Sequence, residues 1–341
     1  SGKFGGYFEW LDGAGMLMEL ATRNPVALID LRDNQSNVNR LIGNLQLDYK
    51  IHWFPDLHIL LNLGIDNAGG SGDDKIFAES ATNYKTAGRK THYEQKKKNT
   101  LTDIELFYTK ELKKIKTKVD VLVGHTYQDF ITEVKNFPSY SLGRDTLIPS
   151  SVPTFATDKP EYRLESYFGR LNVSVAGKYL LTASLRRDAS SKFTKENRVG
   201  YFPAFAVAWR IKDDFLKSVN LVSDLKLRFG VGTTGQQDGI AYYSYLPYYA
   251  QSNSSAQYQF GNTYYSFLRP SAYDPDRKWE STTTTNVGID FGFLNNRIYG
   301  SADYYFKKTK DLLSVVPVAA GGNFDILLLT NVGNMENKGV E

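Results

Sequence analysis

The chain has 341 residues, with 41 Lys and Arg against 37 Asp and Glu, so the formal net charge is only +4. That balance offers no basic stripe for nucleic acid, and the lack of any cysteine excludes disulfides and thiolate metal sites. No run of 18 apolar residues occurs, which excludes a transmembrane helix. The mean hydropathy of −0.39 would suit a soluble protein. It also suits a membrane barrel, in which only alternate residues touch lipid. Aromatic residues make up 14%, with 23 Tyr and 20 Phe. Tyrosine is favoured in the headgroup zone of a barrel, where its ring meets apolar matter and its hydroxyl meets water.

Period-two alternation recurs along the chain in segments of roughly ten residues. Leu41, Gly43, Leu45, Leu47 and Tyr49 line one face, against Arg40, Asn44, Gln46 and Asp48. Leu57, Ile59, Leu61, Leu63 and Ile65 follow. Ile104, Leu106 and Tyr108 oppose Asp103, Glu105 and Thr109, and Val119, Val121 and Val123 oppose Lys118 and Asp120. Next come Leu171, Val173 and Val175 against Arg170, Asn172 and Ser174, then Tyr179, Leu181, Ala183 and Leu185 against Thr182, Ser184 and Arg186. Tyr201, Phe205, Val207, Trp209 and Ile211 share a face, as do Leu225, Leu227, Phe229 and Val231 against Lys226 and Arg228. The last of the series sets Val287, Ile289, Phe291 and Phe293 against Asn286, Gly288 and Asp290. Helical signals are few; Asp213 to Lys217 is the one candidate turn of helix.

Alternation alone fits a soluble sandwich as well as a barrel, and the links separate the two. Tight links join Tyr49 to Leu57, Leu112 to Thr117, Ala176 to Tyr179 and Leu294 to Ile298, with a somewhat longer one from Ile211 to Leu225. Between them lie long polar links: Asp66 to Leu101, Gln128 to Arg163, Arg187 to Gly200, Thr233 to Trp279, and Lys307 to Leu329. Short and long alternate throughout, as periplasmic turns and external loops do in an up-and-down barrel. Asn295-Asn296 and Gly177-Lys178 are expected at hairpin turns that need positive φ. The expected fold class is all-β, an antiparallel up-and-down transmembrane β-barrel.

Five blocks then suggest a family. They are Arg170-Leu171-Asn172 through Gly177-Lys178-Tyr179 to Asp188, Gly200-Tyr201-Phe202-Pro203 leading to Trp209-Arg210-Ile211, and Ser223-Asp224-Leu225 through Gly235-Gln236-Gln237. Lys278-Trp279-Glu280 with Asn286 to Ile298, and Asn331-Val332-Gly333-Asn334 to Glu341, complete them. In this order they resemble the SusC/RagA family of TonB-dependent outer-membrane transporters, over roughly Asp158 to Glu341. Asn24-Pro25 and the strands from Asn39 to Asp66 match more loosely. The resemblance implies a barrel of 22 strands enclosing an N-terminal plug. Residues 1–341 are then expected to form one part of that barrel domain, ten to twelve strands or about half, with plug and remaining strands outside this chain.

The resemblance also implies partners: a SusD-like surface lipoprotein, the TonB complex acting through segments absent here, outer-membrane lipid, and an oligosaccharide or peptide cargo. The leading expectation is active import of oligomeric nutrients across the outer membrane, glycans before peptides. The alternative is a passive porin or structural barrel, and a third reading is a soluble glycan-binding sandwich. No acid–base pair, nucleophile cluster or cofactor motif points to an enzyme. His52, His58, His92 and His125 are scattered without a second ligand at metal spacing. Asp66 to Asp74, with Gly69, Gly70 and Gly72, lacks the EF-hand order and is expected to be a mobile acidic external loop. Lys96-Lys97-Lys98 is expected at a solvated loop tip. The segment from Tyr242 to Phe267 is the most suggestive, and Tyr242, Tyr243, Tyr245, Tyr248 and Tyr249 are the candidate contacts for a ligand or partner.

Overall fold

The computed structural model describes residues 2–252, 256–319 and 325–341. The expected links Thr233 to Trp279 and Lys307 to Leu329 each include a few residues outside that set. The first strands are β1 (Arg32–Lys50), β2 (Leu57–Ile76), β3 (Arg89–Leu112), β4 (Thr117–Lys135) and β5 (Thr157–Asp158). They are followed by β6 (Glu161–Val175), β7 (Tyr179–Ser190), β8 (Val199–Arg210) and β9 (Val222–Gln236). Four short strands come next: β10 (Tyr249–Gln251), β11 (Gln257–Phe260), β12 (Thr263–Ser266) and β13 (Leu268–Pro270). The chain finishes with β14 (Glu280–Phe293), β15 (Ile298–Lys310), β16 (Leu313–Pro317), β17 (Leu327–Asn331) and β18 (Asn334–Val340).

Twelve strands form one sheet. Eleven follow the path β1-β2-β3-β4-β6-β7-β8-β9-β14-β15-β18, and β5 pairs with β4. Long-strand neighbours in space are neighbours in sequence, which is the meander the link lengths predicted. The path is open: β1 and β18 stand at its two ends. The remaining strands make local pairs, β10 with β13, β11 with β12, and β16 with β17.

The chain divides into two compact units. One holds residues 1–44, 64–100 and 129–161, and the other holds 45–63, 101–128 and 162–341.

The second unit shows what the alternation does. Paired residues on adjacent strands face the same way, so the register can be followed across the sheet. Val173, Leu181, Val207, Phe229, Val287, Tyr304 and Val340 form one continuous row over seven strands. One residue along, on the opposite face, runs Asn172, Thr182, Ala206, Gly230, Asn286, Tyr305 and Gly339. Among the described residues nothing covers the apolar face: Leu185 is 53% exposed and Val287 50%. A contiguous apolar surface of that extent marks contact with an apolar medium or a partner. The small buried core of this unit lies elsewhere, where Phe193 and Phe202 close on Trp279 at ring-centroid distances of 5.1 and 5.6 Å. Trp279 donates its indole N–H to the Arg198 carbonyl at 3.0 Å.

Turn chemistry agrees with the expectation at one hairpin and shifts it at another. Asn295 and Asn296 have φ of 56° and 59°, and Arg297 N–H bonds the Leu294 carbonyl. At the other hairpin, Ala176 and Gly177 are the positive-φ pair, at 53° and 68°, and Lys178 closes the turn on Val175. The turn thus begins one residue earlier than Gly177-Lys178. Asp213 to Lys217 holds a hydrogen-bonded turn, with Phe215 N–H on the Ile211 carbonyl, rather than a helix. A six-residue helix, α1 (Pro25–Asp30), stands where none was expected. Asn24 caps it by accepting from Val26 N–H at 3.0 Å and Ala27 N–H at 3.3 Å, and Pro25 occupies the first turn, where its missing N–H costs nothing.

Two loop expectations are corrected in the first unit. The stretch from Asp66 to Asp74 is strand, part of a 20-residue β2, and Lys96-Lys97-Lys98 lies within the 24-residue β3. About ten residues suffice to cross a bilayer, so these strands run far beyond it. Outside lipid neither face needs to be apolar, the alternation disappears, and polar sequence looks like loop. Cross-strand ion pairs and hydrogen bonds hold these extensions instead. Arg40 forks onto Asp66 with two bonds of 2.8 Å. Buried Asp74 receives Arg32 at 2.6 Å and Arg89 at 3.0 Å, and Asp73 meets His92 at 3.0 Å.

Candidate functional site

Two features of the second unit carry chemistry. The first is a charged cluster on the polar face. Lys226 Nζ lies 3.2 Å from Asp290 Oδ2, and Arg228 donates Nε to Asp290 at 3.0 Å and Nη2 to Asp303 at 2.9 Å. Three adjacent strands supply these groups, and Gly288 sits in register between Arg228 and Asp303. A Cβ at Gly288 would lie 2.4 Å from Asp303 Oδ1, so the missing side chain opens the space the pair occupies. Higher on the same face, Arg186 bonds Ser166 at 2.8 Å and Asp188 at 2.7 Å. Charges cancel locally on this face, which suits a water-filled interior.

The second feature is the link between β9 and β14. From Gly239 to Leu268 it holds no Asp, Glu, Lys, Arg or His, yet it contains eight tyrosines. Rigid Tyr faces alternating with Ser, Asn and Gln make an adaptable binding surface of low conformational cost. The five candidate tyrosines do not form a single cluster. Tyr242 packs on Tyr162 with ring centroids 5.6 Å apart, and Lys192 Nζ lies 4.4 Å from the Tyr162 ring and 5.7 Å from that of Tyr242. Burial pushes the Lys192 ammonium pKa down, and Asp238 opposes that shift. Tyr243 adopts φ 56°, and Tyr245 is half-buried. Tyr248 and Tyr249 remain open, at 61% and 68% exposure. The β11–β12 hairpin presents Tyr258, Tyr264 and Tyr265 as well, all more than half exposed.

Several residues of this region went unnoticed in the sequence. Tyr162 fell inside the expected link from Gln128 to Arg163, whereas the structure places it in β6, in step with Asn172 on the polar face. Lys192 and Arg277 carried no local signal, because the rings, hydroxyl and carbonyl they contact lie 30 or more residues away in the chain. The histidines make ordinary contacts. His58 meets Asp48 at 3.0 Å, His125 meets Glu165 at 3.3 Å, and His52 lies 3.4 Å from the Tyr49 hydroxyl. Among the described residues no group of three His, Asp or Glu could hold a metal.

An open antiparallel meander, apolar on one face and charge-paired on the other, with short turns at one end and long loops at the other, is wall from an outer-membrane β-barrel. The chain belongs to the TonB-dependent receptor-like β-barrel family, whose family model matches residues 4–341. It is 41% identical over 326 residues to the TonB-dependent receptor SusC of Bacteroides thetaiotaomicron, covering 94% of this chain and 32% of that protein. It is 27% identical over 329 residues to the TonB-dependent receptor P26 of Formosa agariphila, covering 93% of this chain and 32% of the relative. The chain therefore spans about a third of the length of these curated relatives. Among solved structures, the RagAB peptide transporter aligns with TM-score 0.77 and 23% identity, over 96% of this chain and 37% of that one. The ferric-catecholate import receptor Fiu of E. coli aligns with TM-score 0.52 and 10% identity, over 91% and 45%. Both show the shared fold. The protein resides in the outer membrane, where the apolar row through Val207 and Val287 suits lipid and the polar row through Asn172 and Asn286 suits water.

Proposed function

We propose that this chain forms about half the wall of a 22-strand barrel that imports oligomeric nutrients, with energy supplied through TonB. The cargo in this reading is an oligosaccharide before a peptide, and a SusD-like surface lipoprotein is the partner at the outer end. The observation that carries it is the 41% identity to SusC across 94% of the chain. The eleven-strand open path supports a wall completed by further strands, since an open edge in a bilayer leaves unpaired N–H and C=O groups. The preference for a glycan rests on the uncharged, tyrosine-rich link, whose flat exposed rings suit sugar faces and whose amides suit hydroxyls. Family membership favours energised import over a passive porin.

The test uses the full-length protein in its native membrane. Uptake of a dye-labelled neutral oligosaccharide is expected to vanish on deletion of the gene and on collapse of the proton gradient. Uptake that persists without the gradient sinks the import reading and favours the porin. Uptake of peptides in place of sugars overturns the cargo assignment alone.

A further inference from the structure

Arg277 is 5% exposed, although it lies in a loop between β9 and β14. A buried guanidinium needs its donors satisfied, and here they reach two other segments. Nε and Nη2 both donate to the Leu329 carbonyl, at 3.0 and 2.6 Å, and Nη1 donates to Ser244 Oγ at 2.6 Å. Leu329 belongs to β17, in the link between β15 and β18. Ser244 lies among the tyrosines of the link between β9 and β14. Burial pushes the Arg277 pKa down, with Asp274 opposing the shift.

Smaller bonds run alongside. Thr330 Oγ1 donates to Asp274 at 2.5 Å, Asn331 Nδ2 donates to the carbonyls of Lys278 and Asp311, and Ala272 N–H donates to Asp325 at 3.0 Å. These fasten residues 272–278 to Asp325 and to β17, and only Arg277 among them also grips Ser244. The guanidinium plane is what allows this. Its nitrogens point in fixed directions at two acceptors on opposite sides, which a single ammonium cannot do.

We propose that Arg277 is a positioning residue that couples the tyrosine-rich loop to the β16–β17 hairpin, so that the two external segments hold and release as one body. The consequence for cargo, that presentation of the tyrosine rings depends on Arg277, rests on the import reading above. The coupling itself does not.

Hydrogen exchange on the full-length protein in outer-membrane vesicles reads the coupling directly. Arg277→Lys keeps the charge and loses the fork. Amides in residues 240–250 and 327–331 should then exchange together, about tenfold faster than in the parent, with the folded barrel intact on a gel run without heating. Ser244→Ala removes one arm, so 240–250 should accelerate and 327–331 should not. Unchanged exchange in both segments of Arg277→Lys, acceleration in only one of them, or an inert Ser244→Ala overturns the proposal. Uptake of the labelled oligosaccharide then separates the two readings: a raised half-saturation with unchanged maximal rate supports both. Faster exchange with unaltered uptake supports the coupling and removes the cargo contact.

Discussion

Arg228 on β9 reaches across β14 to Asp303 on β15, at 2.9 Å, through the space left by Gly288. Two strands separated by a third are thus tied on the polar face by one ion pair, and a second carboxylate, Asp290, steadies the same guanidinium at 3.0 Å. Placing a methyl group at Gly288 displaces both charged ends. At Gly230, on the same face, an added Cβ would meet nothing nearer than 3.9 Å. Gly288→Ala is therefore expected to lower the unfolding temperature of the full-length barrel by about 2–4 °C, while Gly230→Ala leaves it unchanged. Thermal loss of the fast-migrating folded band compares them, and equal behaviour refutes the tie.

The two faces of the sheet predict opposite responses to charge. Val207→Arg or Ile289→Arg puts a cation against lipid and should cost about 2–4 kcal/mol at mid-bilayer depth. Asn172→Arg faces the lumen and should cost far less. Folding yield of the full-length protein into lipid vesicles across a urea series measures both, and the assignment of faces fails if the costs match.

On the aromatic loop, exposure separates contact from support. Tyr258→Ala or Tyr264→Ala on the β11–β12 hairpin removes an exposed ring and should weaken cargo binding about fivefold or more, without loss of folded protein. Tyr242→Ala instead removes the partner of Tyr162 and Lys192 and should loosen the loop before it touches affinity. Titration of the labelled oligosaccharide, with exchange of the loop amides as control, distinguishes the two kinds of residue.

The turn between β8 and β9 should respond to acid. Lys178 beside Asp214 holds its carboxyl below the usual carboxylate range, and Tyr179 adds a second bond in the same direction. A depressed folded pKa means this contribution is present above the unfolded value and is lost as pH falls through the folded one. Protease nicking of residues 211–221 should therefore stay flat from neutrality down to the ordinary carboxylate range and rise only below it. Asp214→Asn should nick readily at every pH, and a rise that begins near pH 6 would falsify the assignment.

Fold legibility followed the solvent. Where one face is apolar and the other polar, as in β6 to β9 and β14, alternation marked the strand, and the register keeps each face continuous. The short strands β10 to β13, by contrast, lay inside an expected link. In β2 and β3 both faces leave lipid, so Asp66 to Asp74 and Lys96 to Lys98 looked like loop although they are strand. The helix at Pro25 was masked by its brevity, for six residues carry no helical period; Asn24 followed by Pro25 was its only signal. At the loop, composition pointed to the right stretch, but which tyrosines stay open depends on Tyr162, Lys192 and Ser244, and no local pattern announces such distant partners.

The charge-free run from Gly239 to Leu268 also fixes how this surface behaves in different waters. Ion pairs between exposed groups fade once the Debye length shrinks to about 3 Å at molar salt. Ring stacking and amide–hydroxyl bonds have no such dependence. On the import reading proposed above, a surface built this way should hold neutral cargo about equally well in dilute and in saline surroundings.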